Sequence, residues 1–341
     1  MPLEIVRNDI TKMEVDTIVN AANSQLQRGS GVCGAIFEAA GAELLQFECD
    51  TLAPCPVGQA VITLGYHLPA NYIIHTVGPV WQGGEQGEEA LLASCYTSSL
   101  SLAKERGINS IAFPLISSGI YGYPKELALQ IAMKTIGNFL QEHEMQVTLV
   151  VYDPDSYQIS RSQYHGLRMF IDDNYVEEHL QRRRRRNNAD LSVLEETNYE
   201  MSYRSALPSP KQKSANAAPT HTYITNFPLS ETFSEMLLRH IDRSGLTDPQ
   251  VYRRANIDRR LFSKIRSNPD YQPSKNTALA LAIALKLNLD QTTDLLRRAG
   301  YALSPSSKFD LTVEYFIRER MFDITEINFV LYTNGHSMLG V

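Results

Sequence analysis

Several things are missing from this 341-residue chain, and each absence excludes something. No apolar run reaches the length that a membrane-spanning helix needs. The opening Met-Pro-Leu-Glu-Ile has no signal-peptide layout. Four cysteines, at 33, 49, 55 and 95, show no C-x-x-C spacing, so the spacing calls for no metal. With no export signal, the expectation is reduced thiols in a cytoplasmic protein. No motif requires a cofactor.

Positive charge is scarce where it would be most useful to an anion. Residues 1–176 hold 9 Lys/Arg against 19 Asp/Glu, a net of −10, although the whole chain carries only −6. A module this acidic has few basic side chains for holding a phosphate. It must use backbone N–H groups and helix dipoles.

What is present fits that requirement. Thr17 to Val19 reads as a strand, followed by Asn20 and Asn23. A loop with Gly29, Gly31 and Gly34 comes next, and a helix is expected from about Ala35. Glycines at a strand-to-helix turn let N–H groups converge on an anion. The two carboxamides can pair with sugar hydroxyls. Together they suit a ligand with both phosphate and ribose. Gly29-x-Gly31-x-x-Gly34 also fits the dinucleotide fingerprint, but its context does not. Nine residues separate Val19 from Gly29, and Glu48 and Asp50 end a helical pattern rather than a strand.

Strand-like runs occur at Leu3–Val6, Thr17–Val19, Ala60–Thr63, Tyr72–Val77, Ser110–Leu115 and Gln146–Tyr152. Helical patterns occur at about Ala35–Phe47, Glu88–Arg106, Lys125–Gln141 and Tyr157–Asp172. The alternation predicts an α/β three-layer sandwich around a mixed sheet. A polar stretch over 176–222, with the run Arg182 to Arg186, reads as a linker. A linker of this kind predicts tethering of the two flanking domains rather than rigid coupling. Residues 223–341 read as nearly all helical. Expected helices follow Thr232, Thr247, Asp258, Ser274 and Asp290, with a sixth at about Asp310–Glu319. The tail from Phe309 to Val341 carries no family reading.

Asn20-Ala-Ala-Asn23-Ser, the Gly29–Gly34 loop and Ile116-Ser-Ser-Gly-Ile-Tyr-Gly-Tyr-Pro124 together resemble a macrodomain, the ADP-ribose-binding module. Gly58-Gln-Ala-Val-Ile-Thr63 and Tyr72-Ile-Ile-His-Thr-Val-Gly-Pro79 agree, in the family's order. The resemblance spans about residues 1–175. It is strongest to the branch holding O-acetyl-ADP-ribose deacetylases and mono-ADP-ribosyl hydrolases. Its implied ligands are ADP-ribose, O-acetyl-ADP-ribose or a mono-ADP-ribosylated protein.

The resemblance also implies roles. Asp9 would accept the adenine amino group, with the Ile10 N–H on a ring nitrogen. Without the resemblance, Asp9 reads as a cap for the turn at Thr11. Gly31, Val32 and Gly34 would meet the pyrophosphate from one loop. Ser117, Ser118, Gly119, Ile120, Tyr121 and Gly122 would meet it from another, with Tyr121 against the distal ribose. Tyr152 would stack on adenine, and Tyr157 competes for that role. His75 reads as a structural histidine.

One position departs from the pattern. Hydrolytic members usually carry an aspartate where this chain has Cys33, and often a histidine where it has Phe37. A free cysteine titrates at about 8.5, so a thiol is a poor acceptor near neutrality. The catalytic assignment is therefore Asn23, with Cys33 in doubt. Two functions remain open: hydrolysis of ADP-ribosyl or O-acetyl esters, or reading of ADP-ribose without catalysis.

Residues 230–301 resemble a repressor-type helix-turn-helix, from helix order and from Pro273-Ser-Lys-Asn-Thr-Ala-Leu-Ala-Leu. That resemblance implies duplex DNA, or else a protein, as a partner. Arg259, Arg260, Lys264 and Arg266 would be the outward contacts, with Leu261, Phe262 and Ile265 on the core side.

Overall fold

Consecutive apolar residues make the central strands, because both faces of the sheet are covered. The computed structural model describes residues 2–151 and 231–340. The expected linker, Tyr152, Tyr157, the helix over 157–172 and the five arginines lie outside the described residues. Six strands form one sheet: β1 (Leu3–Arg7), β2 (Thr17–Ala22), β3 (Ala60–Leu64), β4 (Tyr72–Val77), β5 (Ser110–Pro114) and β6 (Gln146–Val151). Their order is β1-β6-β5-β2-β4-β3, with β3 antiparallel to β4 and every other pair parallel.

Alternate residues face opposite layers. Ile18, Ile73, Ala112 and Val150 pack with Ile36, Phe37, Leu45 and Cys49 of α1 (Gly31–Ala40) and α2 (Ala42–Leu52). Their neighbours Val19, Ile74, Phe113 and Leu149 pack with Leu92, Tyr96, Leu129 and Ile136 of α3 (Glu88–Glu105) and α4 (Lys125–Glu142). The expected helix from Ala35 to Phe47 is in fact two. It starts earlier, at Gly31, and breaks at Gly41, whose φ of 97° an L side chain rarely adopts.

β2 and β5 are neighbours, yet β2 leads to α1 on one face and β5 to α4 on the other. Their pairing covers only Thr17 and Ile18 against Ile111 and Ala112, so the carboxyl ends splay. In open α/β sheets, a crevice forms at such a reversal.

The second block is all helix: α5 (Phe233–Ser244), α6 (Asp248–Arg254), α7 (Arg259–Ser267), α8 (Lys275–Ala284), α9 (Leu289–Arg298), α10 (Lys308–Arg318) and α11 (Ile324–Thr333). Thr232 closes a capping box with Glu235, and Asp258 and Ser274 cap as expected. Asp290 is not a cap. Asn288 takes that role because Gln291 completes a reciprocal box with it, leaving Asp290 in the first turn. Helix α11 is capped by Asp323.

The structure contradicts simple tethering. The helical block is docked on the sheet block, and their apolar residues form one continuous cluster. The Leu3 N–H donates to Asn256 Oδ1 at 2.8 Å, and Asn256 Nδ2 donates to Leu3 O at 3.3 Å. Tyr252 Oη donates to Glu144 Oε1 at 2.5 Å. The Tyr252 hydrogen bond and the Arg253 guanidinium hold the Glu144 carboxyl below its ordinary range. A Cβ on Gly137 would lie 2.6 Å from Thr325 Oγ1, so only glycine lets α4 and α11 approach this closely. Among the described residues, no helix is long and apolar enough to cross a membrane.

Candidate functional site

The splayed ends of β2 and β5 open into a cleft of about 300 Å³. Asn23, Gly31, Val32 and Cys33 line it on the β2 side, and Ser117, Gly119, Ile120 and Tyr121 on the β5 side. Two close backbone approaches shape the walls. A Cβ on Gly34 would stand 2.7 Å from the Gly29 carbonyl oxygen. A Cβ on Gly78 would stand 2.1 Å from Ser117 Oγ and 2.7 Å from an Ile116 methyl.

Gly31-Val32-Cys33-Gly34, expected as loop, is the first turn of α1. The first-turn N–H groups of a helix have no intrahelical partner, and the Ser30 N-cap makes no side-chain bond to them. Donors and the positive end of the dipole therefore face the cleft without a basic side chain.

The opposite wall is strained. Ser117 is not glycine, yet its φ is 63°. It is 6 % exposed, and its Oγ has no hydrogen-bond partner among the described residues. Ser118 is turned inward, donating from Oγ to Leu115 O at 2.8 Å. The Gly122 N–H donates to Gly119 O, closing the turn that exposes Ile120.

Several expected site residues lie elsewhere. Asn20 does not reach the cleft. It is fully buried opposite His75 in the β2–β4 register. Its Nδ2 donates to His75 Nδ1 at 3.0 Å and to Cys33 Sγ at 3.6 Å. With Nδ1 accepting, the His75 proton sits on Nε2, which donates to Thr63 Oγ1 at 2.9 Å. Burial pushes the His75 pKa down to about 3, so the ring is neutral and structural. Asn23 lines the cleft, but its carboxamide holds its own loop. Oδ1 accepts from the Gln25 and Gln27 N–H groups at 3.1 Å, and Nδ2 donates to Gln27 O at 2.8 Å. Water activation by Asn23 loses its acceptor.

Asp9 and Ile10 sit outside the cleft lining. Asp9 caps the turn, Oδ1 accepting from the Thr11 N–H at 3.0 Å and from Thr11 Oγ1 at 2.7 Å. The Thr11 hydrogen bonds hold the Asp9 carboxyl below its ordinary pKa. Sequence reasoning missed Gly78, whose only signal was its place in Thr-Val-Gly-Pro. Among the described residues, no three His, Cys, Asp or Glu side chains cluster as a metal would require.

The helical block carries a basic surface on α7. Arg259, Arg260, Lys264 and Arg266 are exposed on α7, while Phe262 and Ile265 are buried. Arg266 pairs with Asp248.

A mixed α/β sheet with a crevice at its switch point, lined by the first turn of a helix, is the class that fold and site define. The macro domain family model matches residues 19–132. A macro domain-containing protein of Methanosarcina mazei is 58 % identical over 156 residues, covering 45 % of this chain and 83 % of that protein. The O-acetyl-ADP-ribose deacetylase of Escherichia coli K12 is 49 % identical over 160 residues, covering 45 % of this chain and 90 % of the enzyme. Among solved structures, the Oceanobacillus iheyensis macrodomain with ADP is 46 % identical, covers 45 % of this chain and 85 % of that one, and has a TM-score of 0.44. The chain belongs to the macro domain family.

Proposed function

We propose that the cleft binds ADP-ribose and cleaves an acyl ester on its distal ribose, as in O-acetyl-ADP-ribose. One observation carries this reading: the open first turn of α1 faces the strained Ser117 loop across a single cleft. Backbone N–H groups there suit the pyrophosphate in a block with few basic side chains. Asp9 keeps Oδ2 clear of Thr11 and can accept the adenine amino group. The deacetylase named above supports the choice of ester. Calorimetry of the full chain should show ADP-ribose binding with Kd on the order of micromolar, about −8 kcal/mol. Chromatography should show ADP-ribose appearing from O-acetyl-ADP-ribose. No heat at millimolar ligand would refute the binding, and binding without product would leave only a reader of ADP-ribose.

A second reading concerns α7. Between Arg239 and Lys275 there are nine Lys/Arg and four Asp/Glu. The exposed basic side of α7 supports duplex DNA as a partner, with Arg259, Arg260 and Lys264 on phosphates or guanine edges. In a gel shift, affinity should fall steeply as salt rises. A blank gel at low salt with folded protein would assign the helical block to protein contacts.

A further inference from the structure

We propose that Glu88 is a positioning residue for the cleft: its buried carboxylate fixes the segment after β4, and that segment sets where Tyr121 stands against the distal ribose. The inference rests on the ADP-ribose reading above and names the residue that makes the distal wall selective for a second ribose.

Glu88 opens α3, yet it is only 2 % exposed. A carboxylate taken out of water is costly unless hydrogen bonds replace the lost solvent. Three backbone N–H groups do so here. Oε1 accepts from Gln82 at 3.0 Å and from Gly84 at 3.1 Å, and Oε2 accepts from Gln86 at 2.6 Å. Hydrogen bonds to an ionised acceptor are about twice as strong as neutral ones. All three donors precede the helix, in a stretch that belongs to no helix or strand. The carboxylate therefore holds the loop rather than the helix start. Without it, three N–H groups would lose their acceptor at once.

That loop carries Trp81, and Trp81 touches the cleft wall twice. Its N–H donates to Tyr121 O at 2.8 Å. Its ring lies 4.6 Å from the Tyr123 ring, tilted by 57°. Gly84, which Glu88 holds by the N–H, sits against the same ring: a Cβ there would stand 2.8 Å from it. Tyr121 lines the cleft, and Tyr123 is buried behind it.

The sheet explains why such a brace is needed. β4 and β5 are not neighbours, since β2 lies between them. The segments beyond their carboxyl ends nevertheless meet, at Gly78 against Ser117 and at Trp81 against Tyr121. Within the wall the bonds are local: the Gly122 N–H donates to Gly119 O, and the Tyr123 N–H to Ser117 O at 3.0 Å. These give the loop its shape. The bond from Trp81 ties that shape to the β4 side, and Glu88 anchors the tie.

The test uses the full chain in calorimetry, with ADP-ribose and ADP as probes. ADP lacks the terminal ribose that Tyr121 faces in this reading. Glu88→Ala should weaken ADP-ribose at least about tenfold while ADP stays within about threefold, with circular dichroism showing an intact fold. Glu88→Gln keeps the shape and one carbonyl oxygen, so its loss should be smaller. Gly84→Ala leaves Glu88 in place but displaces Trp81, and should lower the same ratio; it carries the test if Glu88→Ala does not fold. Equal losses for both ligands, or an unchanged ratio in the folded variants, would overturn the positioning role and leave the cleft as a binding site. Absence of ADP-ribose binding by the wild type would overturn both.

Discussion

Gly78→Ala is expected to weaken ADP-ribose binding by about ten- to a hundredfold, or about 1.4–2.8 kcal/mol. The change adds one methyl group. That methyl would lie 2.1 Å from Ser117 Oγ and 2.7 Å from Ile116, inside the contact distance of any real pair. Neither neighbour is a flexible side-chain tip. Ser117 is already in a left-handed conformation, and Ile116 is fully buried. The loop from Leu115 to Tyr123 must therefore move away from β4, widening the cleft. Gly78 lies just past the end of β4, so the ladder itself is untouched. Calorimetry with ADP-ribose, beside circular dichroism showing an intact fold, checks this. Unchanged affinity would mean that the Ser117 wall takes no part in binding.

The second large effect is on stability. His75 has its pKa pushed down to about 3 by burial, against about 6.5 in an unfolded chain. Between those values the unfolded chain binds a proton that the folded protein refuses. Stability is therefore fullest above about pH 6.5 and declines as pH falls toward 3, by about 1.4 kcal/mol per pH unit for this one proton. Urea unfolding of wild type and His75→Gln at several pH values from about 7 to 5 checks it. The wild type should lose stability more steeply, by about one proton. Parallel slopes would show that His75 is reached by solvent or titrates normally. The carboxylates common to both proteins cancel in the comparison.

The strands were legible because apolar runs such as Ile-Ala-Phe-Pro-Leu need cover on both faces. The start of α1 was not, because Gly31 and Gly34 are poor helix formers and read as loop. The first turn tolerates them: its N–H groups are unpaired in any helix, and Ile36 and Phe37 anchor the rest against the sheet. The cleft walls were legible as two glycine- and serine-rich motifs. The burial of Asn20 was not, since it follows from the register that sets Asn20 opposite His75. The docking of the two blocks was equally hidden. It joins Leu3 to Asn256 and Glu144 to Tyr252, pairs more than a hundred residues apart with no local signature.

That docking changes what β1 is. Among the described residues, β1 is the outermost strand of the six-stranded sheet on its side. An outermost strand is a template on which another chain can add a strand. The Asn256 carboxamide, held by a left-handed backbone with φ of 54°, mimics a peptide group and takes both bonds of Leu3. Met133 and Leu140 of α4 lie beside it, under Ile324 and Met338. The helical block thus caps the Leu3 end of this edge against a further strand. A fragment cut after Val151 would expose an adhesive edge and an apolar helix face together, and its failure mode is self-association into fibres or dimers rather than unfolding.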